Sequence, residues 1–183
     1  MLTVPNLLTG LRALGIPIFL FLVASERYNL AVITLMVAGA TDYLDGKLAR
    51  LLNQASRFGE LFDPLVDRLY ILSVLIAMYI SSVVPVWVLL LVLIRDAALF
   101  ILLLLMRRRG IAPFTVTFLG KAATFNLLYA LPLLLLTATG SGVLVDLAFI
   151  FGWAFAGWGI GLYLLTGVGY ARTGLKALRN SRG

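Results

Sequence analysis

The sequence predicts an all-α membrane protein, a bundle of six transmembrane helices with both termini in the cytoplasm. Three observations lead there. The 183-residue chain is 62% hydrophobic and its mean hydropathy is +1.04. Its apolar runs, each near the roughly 20 residues that a spanning helix needs, are separated only by short charged clusters. Basic residues gather in alternate connections, the pattern that sets orientation in a bilayer. The runs leave no room for a separate soluble domain, so residues 1–183 are expected to form one transmembrane domain.

The first helix is expected over 4–24. Pro5 is tolerated in a first turn, and NLLTGLRALGIPIFLFLVA is apolar apart from Asn6 and Arg12. An arginine within this run, no small-residue cleavage pattern after it and a second apolar run following directly argue against a removed signal peptide. SERYN connects to a second helix over 29–52, apolar at first and charged in its last third. Residues 53–56 read as a turn, and a third helix over 57–81 carries its charges in its first third. The two charged thirds therefore meet on one side of the membrane.

SSVVP turns the chain on the other side, and a fourth helix over 86–106 is interrupted by Arg95 and Asp96. After RRRGIAP a fifth helix, over 114–137, carries Lys121 in its early turns. TGSG ends it. A sixth helix over 143–170 leads into a basic tail with Arg172, Lys176, Arg179 and Arg182.

Of the fifteen Lys and Arg residues, Arg27 lies in an opposite-side connection and Arg95 within a helix. The others fall at the N-terminal region, the second and fourth connections and the tail, which six spans place on a single face. That face is expected to be cytoplasmic. The net charge of +7 is thus read as orientation and contact with anionic lipid, not as a nucleic-acid surface. Cysteine and histidine are both absent, which excludes thiol chemistry, disulfides, imidazole bases and soft metal sites. Any metal must be held by oxygen.

The stretch over 41–69, TDYLDGKLARLLNQASRFGELFDPLVDRL, holds five of the eight acidic residues. Residues three or four apart on a helix share a face. Asp42, Asp45, Gly46 and Ala49 form one stripe on the second helix; Gly59, Asp63 and Asp67 form one on the third. Small residues beside the acids let helices or a ligand approach the backbone. Four converging carboxylates in a medium of low dielectric repel one another, so they take up protons or bind counter-ions. Their chemistry suits hard divalent cations such as Mg²⁺, and two such ions about 4 Å apart can clamp a phosphoryl group for in-line displacement. The alternative is an interfacial salt-bridge network with Lys47, Arg50, Arg57 and Arg68.

This stretch resembles the CDP-alcohol phosphotransferase family, whose signature is D-x2-D-G-x2-A-R-x8-G-x3-D-x3-D. The match at Asp42, Asp45, Gly46, Ala49, Arg50, Gly59, Asp63 and Asp67 has no departure in residue or spacing, and the six-helix plan extends the likeness to the whole chain. The resemblance implies that Asp42, Asp45 and Asp63 bind two divalent ions, Mg²⁺ or Mn²⁺. Asp67 would complete that site and act as general base on the acceptor hydroxyl. Gly46, Ala49 and Gly59 would make room for the cytidine nucleotide, with Asp42 also facing the donor, and Arg50 would neutralise phosphate or fix a carboxylate. The donor implied is CDP-diacylglycerol, the setting a bacterial cytoplasmic membrane with the site open to the cytoplasm, and the assembly a homodimer.

The runs TVPNLLTGLRALGIP and FLGKAATFN are similar to the branch that makes phosphatidylglycerophosphate or cardiolipin. Members using glycerol 3-phosphate commonly carry Arg-Glu in the fourth helix, and those making cardiolipin from phosphatidylglycerol commonly carry Arg-Asp. Arg95 and Asp96 favour the second, with glycerol 3-phosphate and then an inositol phosphate as alternative acceptors. Arg95 either holds an acceptor phosphate or forms a structural pair with an acid; an arginine on an apolar helix must face the bundle interior or a wet cavity. Arg107 and Lys121 are further acceptor candidates, against readings as a positive-inside anchor and a snorkelling side chain. A cation-coupled transporter would also use intramembrane acids, but no internal repeat is evident. A non-catalytic scaffold would have no use for the glycine and acid spacing.

Overall fold

The computed structural model describes residues 4–52, 57–112 and 117–181, with the side chains of 4–9, 11–12, 42–52 and 57–68 outside that description. Six α-helices form among the described residues: α1 (Val4–Ala24), α2 (Tyr28–Leu52), α3 (Arg57–Ile80), α4 (Val86–Arg108), α5 (Phe118–Leu136) and α6 (Val143–Asn180), with one 3-10 turn over Thr137–Thr139. The expected all-α class holds, and no strand occurs among these residues. The expected turn at 53–56 lies outside them.

Two helix ends differ from expectation by more than two residues. The fifth helix begins at Phe118, because Thr117 acts as its cap: Thr117 Oγ1 accepts a 3.2 Å hydrogen bond from the Gly120 amide, the usual use of threonine before a first turn. The sixth continues past Tyr170 to Asn180. The segment ARTGLKALRN contains no proline and is mostly good helix formers, and its basic residues favour a helix C-terminus. Arg109 also donates a 2.9 Å hydrogen bond to the Leu178 carbonyl, pairing one of the acceptors left open there.

Helices α4, Phe118–Thr139 and α6 are long and apolar enough to cross a membrane. At 38 residues, α6 is about 57 Å long, well beyond a hydrocarbon core of about 30 Å. Shorter apolar helical stretches occupy Ala13–Ala24, Tyr28–Thr41 and Leu69–Ile80.

The ends of α1, α3 and α4 share one local device. Arg27 N–H bonds Leu22 O, Val83 N–H bonds Met78 O and Ile111 N–H bonds Met106 O, each closing the helix around a left-handed residue. Only Gly110, at φ 68°, is a glycine; Glu26 (φ 56°) and Ser82 (φ 58°) adopt that conformation despite a Cβ.

The chain forms two compact units, Met1–Val84 with Leu131–Phe149 and Pro85–Ala130 with Ile150–Gly183. In the first, α1 packs on both α2 and α3, and Phe19, Val74, Met78 and Leu135 are fully buried. In the second, α4 buries Val88, Val92, Leu102 and Met106, a stripe at three- and four-residue spacing on which Arg95 also falls. The facing stripe of α6 buries Ala156, Ile160, Tyr163, Thr166 and Tyr170. Helices in lipid associate by close packing, which small residues permit. A Cβ on Gly174 would stand 2.7 Å from Leu102 Cδ2, and one on Gly120 would meet the Tyr170 hydroxyl at 2.5 Å.

Candidate active site

The signature positions fall on two helices. Asp42, Asp45, Gly46, Ala49 and Arg50 lie in the second half of α2, which stays helical to Leu52; Gly59, Asp63 and Asp67 lie in the first half of α3. Uninterrupted helix keeps Asp42 and Asp45 three apart, and Gly59, Asp63 and Asp67 four apart, in register on one face of each helix. Their side chains lie outside the described residues, as do those of Lys47, Arg57 and Arg68, so the choice between a metal set and a salt-bridge network rests on donor chemistry. Four carboxylates are all-oxygen donors of the kind that Mg²⁺ and Mn²⁺ take. The residues present therefore fit divalent cations. Among the described residues no other group of three acids could hold one.

The side chains of Arg95 and Asp96 lie within the described residues. Arg95 stands near the middle of α4, where a charged side chain in a bilayer costs about 2.5–3.5 kcal/mol on insertion scales. Its side chain is only 11% exposed. Neighbouring residues on a helix do not ordinarily face each other, yet Arg95 Nη1 reaches back to Asp96 Oδ1 at 2.9 Å. Tyr163 of α6 donates a hydrogen bond of 2.5 Å to the same Oδ1, and the Arg95 guanidinium carbon lies 3.8 Å from the centre of the Tyr163 ring. The pair is neutral as a unit, and the ring adds a cation–π contact worth about 2 kcal/mol where water is excluded. These terms together offset the cost of an arginine within an apolar helix.

The close approach depends on Gly167, one turn beyond Tyr163. A Cβ there would lie 3.0 Å from Arg95 Cγ and 3.1 Å from Arg95 Nε. Arg95 Nε is buried with no hydrogen-bond partner. The guanidinium therefore keeps part of its donor capacity unpaired within the protein.

No described hydrogen bond or ion pair joins the other two acceptor candidates to this group. Arg107 is exposed at the end of α4, twelve residues or about 18 Å along the helix from Arg95. Lys121 is exposed in the first turn of α5. The described bonds join Arg95, Asp96 and Tyr163 and include neither. Sequence reasoning missed Tyr163, because a tyrosine in an apolar run carries no signal of an arginine 68 positions earlier. The only available hint was that Tyr163 and Gly167 sit four apart on one helix face.

Long apolar helices, a charged pair within one of them and an acid pattern at helical spacing define an all-helical membrane protein whose sequence carries an all-oxygen donor set suited to divalent cations. The chain belongs to the CDP-alcohol phosphatidyltransferase family, whose pattern matches residues 2–161. It is similar to "Cardiolipin synthase (CMP-forming)" of Streptomyces coelicolor, at 49% identity over 175 residues, 92% of this chain and 81% of that protein. "Probable phosphatidylglycerophosphate synthase" of Mycobacterium tuberculosis is 32% identical over 187 residues, 97% of this chain and 84% of the relative. "Cardiolipin synthase (CMP-forming)" of Rattus norvegicus is 34% identical over 108 residues, 58% of this chain and 36% of the relative. The chain is thus a membrane transferase of a family that depends on divalent metal, which sets aside the transporter and scaffold readings.

Proposed function

We propose that this protein transfers the phosphatidyl group of CDP-diacylglycerol to phosphatidylglycerol, giving cardiolipin and CMP. The observation that carries the proposal is the complete eight-position signature from Asp42 to Asp67, set on two continuous helices. The acceptor is supported by the 49% identity to a cardiolipin synthase and by aspartate at position 96. The weaker likeness to a glycerophosphate-using relative, at 32%, keeps glycerol 3-phosphate as the second reading.

In the proposed mechanism Asp42, Asp45, Asp63 and Asp67 hold two divalent cations, Mg²⁺ or Mn²⁺. Bound there, the ions supply charge neutralisation at the diphosphate of the donor. Gly46, Ala49 and Gly59 leave space for the cytidine nucleotide beside Asp42, and Arg50 balances phosphate charge. Asp67 accepts the proton of the acceptor hydroxyl, and the hydroxyl oxygen bonds the phosphatidyl phosphorus. The bond from that phosphorus to the bridging oxygen breaks, and CMP leaves with the electron pair. Positioning and charge stabilisation account for most of the rate.

Arg95 holds the acceptor's phosphate. Arg107, Arg108, Arg109 and the basic end of α6 contact anionic headgroups, and Lys121 snorkels to the same surface. Residues 1–183 work as one domain of six spans with both termini and the acid stretch toward the cytoplasm, in a bacterial membrane and as a homodimer. The test is a product assay on the purified protein with CDP-diacylglycerol and Mg²⁺, offering phosphatidylglycerol and glycerol 3-phosphate in parallel. Cardiolipin as the product supports the proposal. Phosphatidylglycerophosphate alone replaces the acceptor, and no CMP from either overturns the activity.

A further inference from the structure

We infer that Tyr163 is a positioning residue for acceptor recognition, fixing the Arg95 guanidinium so that its Nε–Nη2 edge is presented to an anionic group of the acceptor. The inference rests on the reading of Arg95 as the acceptor's phosphate contact, and adds the residue and the geometry that make it selective.

A guanidinium has two faces and three donor edges, and here most are occupied. Nη1 is bonded to Asp96 Oδ1 at 2.9 Å. One face lies over the Tyr163 ring, with the central carbon 3.8 Å from the ring centre. The stem runs past Gly167, where any side chain would press on Cγ and Nε at 3.0 and 3.1 Å. The Tyr163 hydroxyl donates to the same Oδ1 at 2.5 Å, so the carboxylate that orients Nη1 is itself held from α6. Rotation of the guanidinium would break the bond to Asp96 and lift it from the ring.

What remains is the edge formed by Nε and Nη2. Nε is buried and without a hydrogen-bond partner, and a buried donor left unpaired is unfavourable until something accepts from it. This edge is the planar fork that takes two oxygens of one phosphate or carboxylate. Lysine, a single point donor, could not replace it. Tyr163 does not touch the acceptor in this arrangement; it acts through Asp96 and Arg95.

The test uses the full-length protein in mixed micelles, measuring CMP release while the acceptor and CDP-diacylglycerol are varied separately. Phosphatidylglycerol and glycerol 3-phosphate are each offered as acceptor, since both present a phosphate to the fork. Tyr163→Phe keeps the ring and removes the bond to Asp96. It is expected to raise KM for the acceptor about tenfold, the scale of one hydrogen bond to a charged group, while KM for CDP-diacylglycerol does not move. Asp96→Asn weakens the same link from the other side, and the double variant should be no worse than the poorer single one.

Arg95→Lys separates the two layers of the inference. If Arg95→Lys raises the acceptor KM and Tyr163→Phe and Asp96→Asn both leave it at the wild-type value, the positioning role is overturned and the acceptor reading stands. An Arg95→Lys variant with unchanged acceptor KM overturns both. If Tyr163→Phe lowers turnover with both substrates alike, or only lowers Tm, its role is structural and the inference fails.

Discussion

Replacing Gly167 with alanine tests the Arg95 arrangement through a residue that carries no chemistry of its own. The added methyl would stand 3.0 Å from Arg95 Cγ, 3.1 Å from Nε and 3.6 Å from Cδ. Carbon atoms rest at about 3.5–4.0 Å, so the arginine stem must retreat by roughly half an ångström. It has little freedom to do so, being 11% exposed and held at its far end by Asp96 and the Tyr163 ring. Overpacking of this kind costs about 1–3 kcal/mol, from which the helix preference of alanine over glycine removes about 1 kcal/mol.

The net loss of stability is therefore small, about 0–2 kcal/mol, and Tm is a poor readout. Acceptor KM is a better one. Arg95 is proposed to hold the acceptor's phosphate, and weakening a hydrogen bond between charged groups costs about 1.5–3 kcal/mol at most, so a shift of the fork should raise the acceptor KM by about tenfold. Gly169→Ala is the matched control, because a Cβ there meets nothing within 4 Å. Steady-state CMP release with both variants decides the matter. If Gly167→Ala and Gly169→Ala have the same acceptor KM and the same Tm, Arg95 is not packed against Gly167 as described.

Three further outcomes are expected. Asp67→Asn should lower turnover by about 10²–10⁴, the usual share of a general base, while equilibrium binding of CDP-diacylglycerol survives; undiminished turnover would remove the base. Asp42→Asn and Asp63→Asn should raise the Mg²⁺ concentration needed for half-maximal activity, and chelation should abolish activity until Mg²⁺ or Mn²⁺ is restored. Activity unaffected by a chelator would refute the metal assignment. Gly174→Val would bring its Cβ to 2.7 Å from Leu102 Cδ2 and 3.1 Å from Met106 Sδ, both in buried side chains. It should lose about 1–3 kcal/mol of stability in a denaturation assay, and an unchanged midpoint would show that the α4–α6 contact yields.

The parts of this protein that were legible in its sequence are those specified by short spacing. Helices appear as apolar runs, and α1 begins and ends where Pro5, SERYN and the apolar pattern place it. The acid signature is legible for the same reason, since residues three and four apart share a helix face whatever the tertiary structure does. The end of α6 was misjudged because a basic, polar segment looks like a tail; its continuation depends on the buried Gly174 and on Arg109 reaching Leu178. The start of α5 likewise depends on Thr117, whose hydroxyl and amide both meet Tyr170 of α6 at 3.0 and 2.8 Å. Neither contact leaves a local trace.

Arg95 shows the same division within one site. Sequence reveals an arginine and an aspartate in an apolar helix and offers two roles for them, a structural pair or an acceptor contact. The geometry shows the structural pair, and the proposed acceptor contact is compatible with it, since the pair uses only one of the arginine's nitrogens. Pairing with Asp96 occupies one nitrogen and neutralises the charge, while the buried Nε is left without a protein acceptor. A pair selected only for stability would be expected to satisfy every buried donor, because an unsatisfied one costs about 1–3 kcal/mol. The length of the acid also acquires a physical meaning. Aspartate places Oδ1 where Arg95 Nη1 and the Tyr163 hydroxyl both reach it, and one more methylene would carry the carboxylate about 1.5 Å further from the α4 backbone. An Arg-Glu pair at these positions would need a different partner on α6, so the residues that distinguish acceptors are to be sought on α6 opposite Arg95 as well as in the acid signature of α2 and α3.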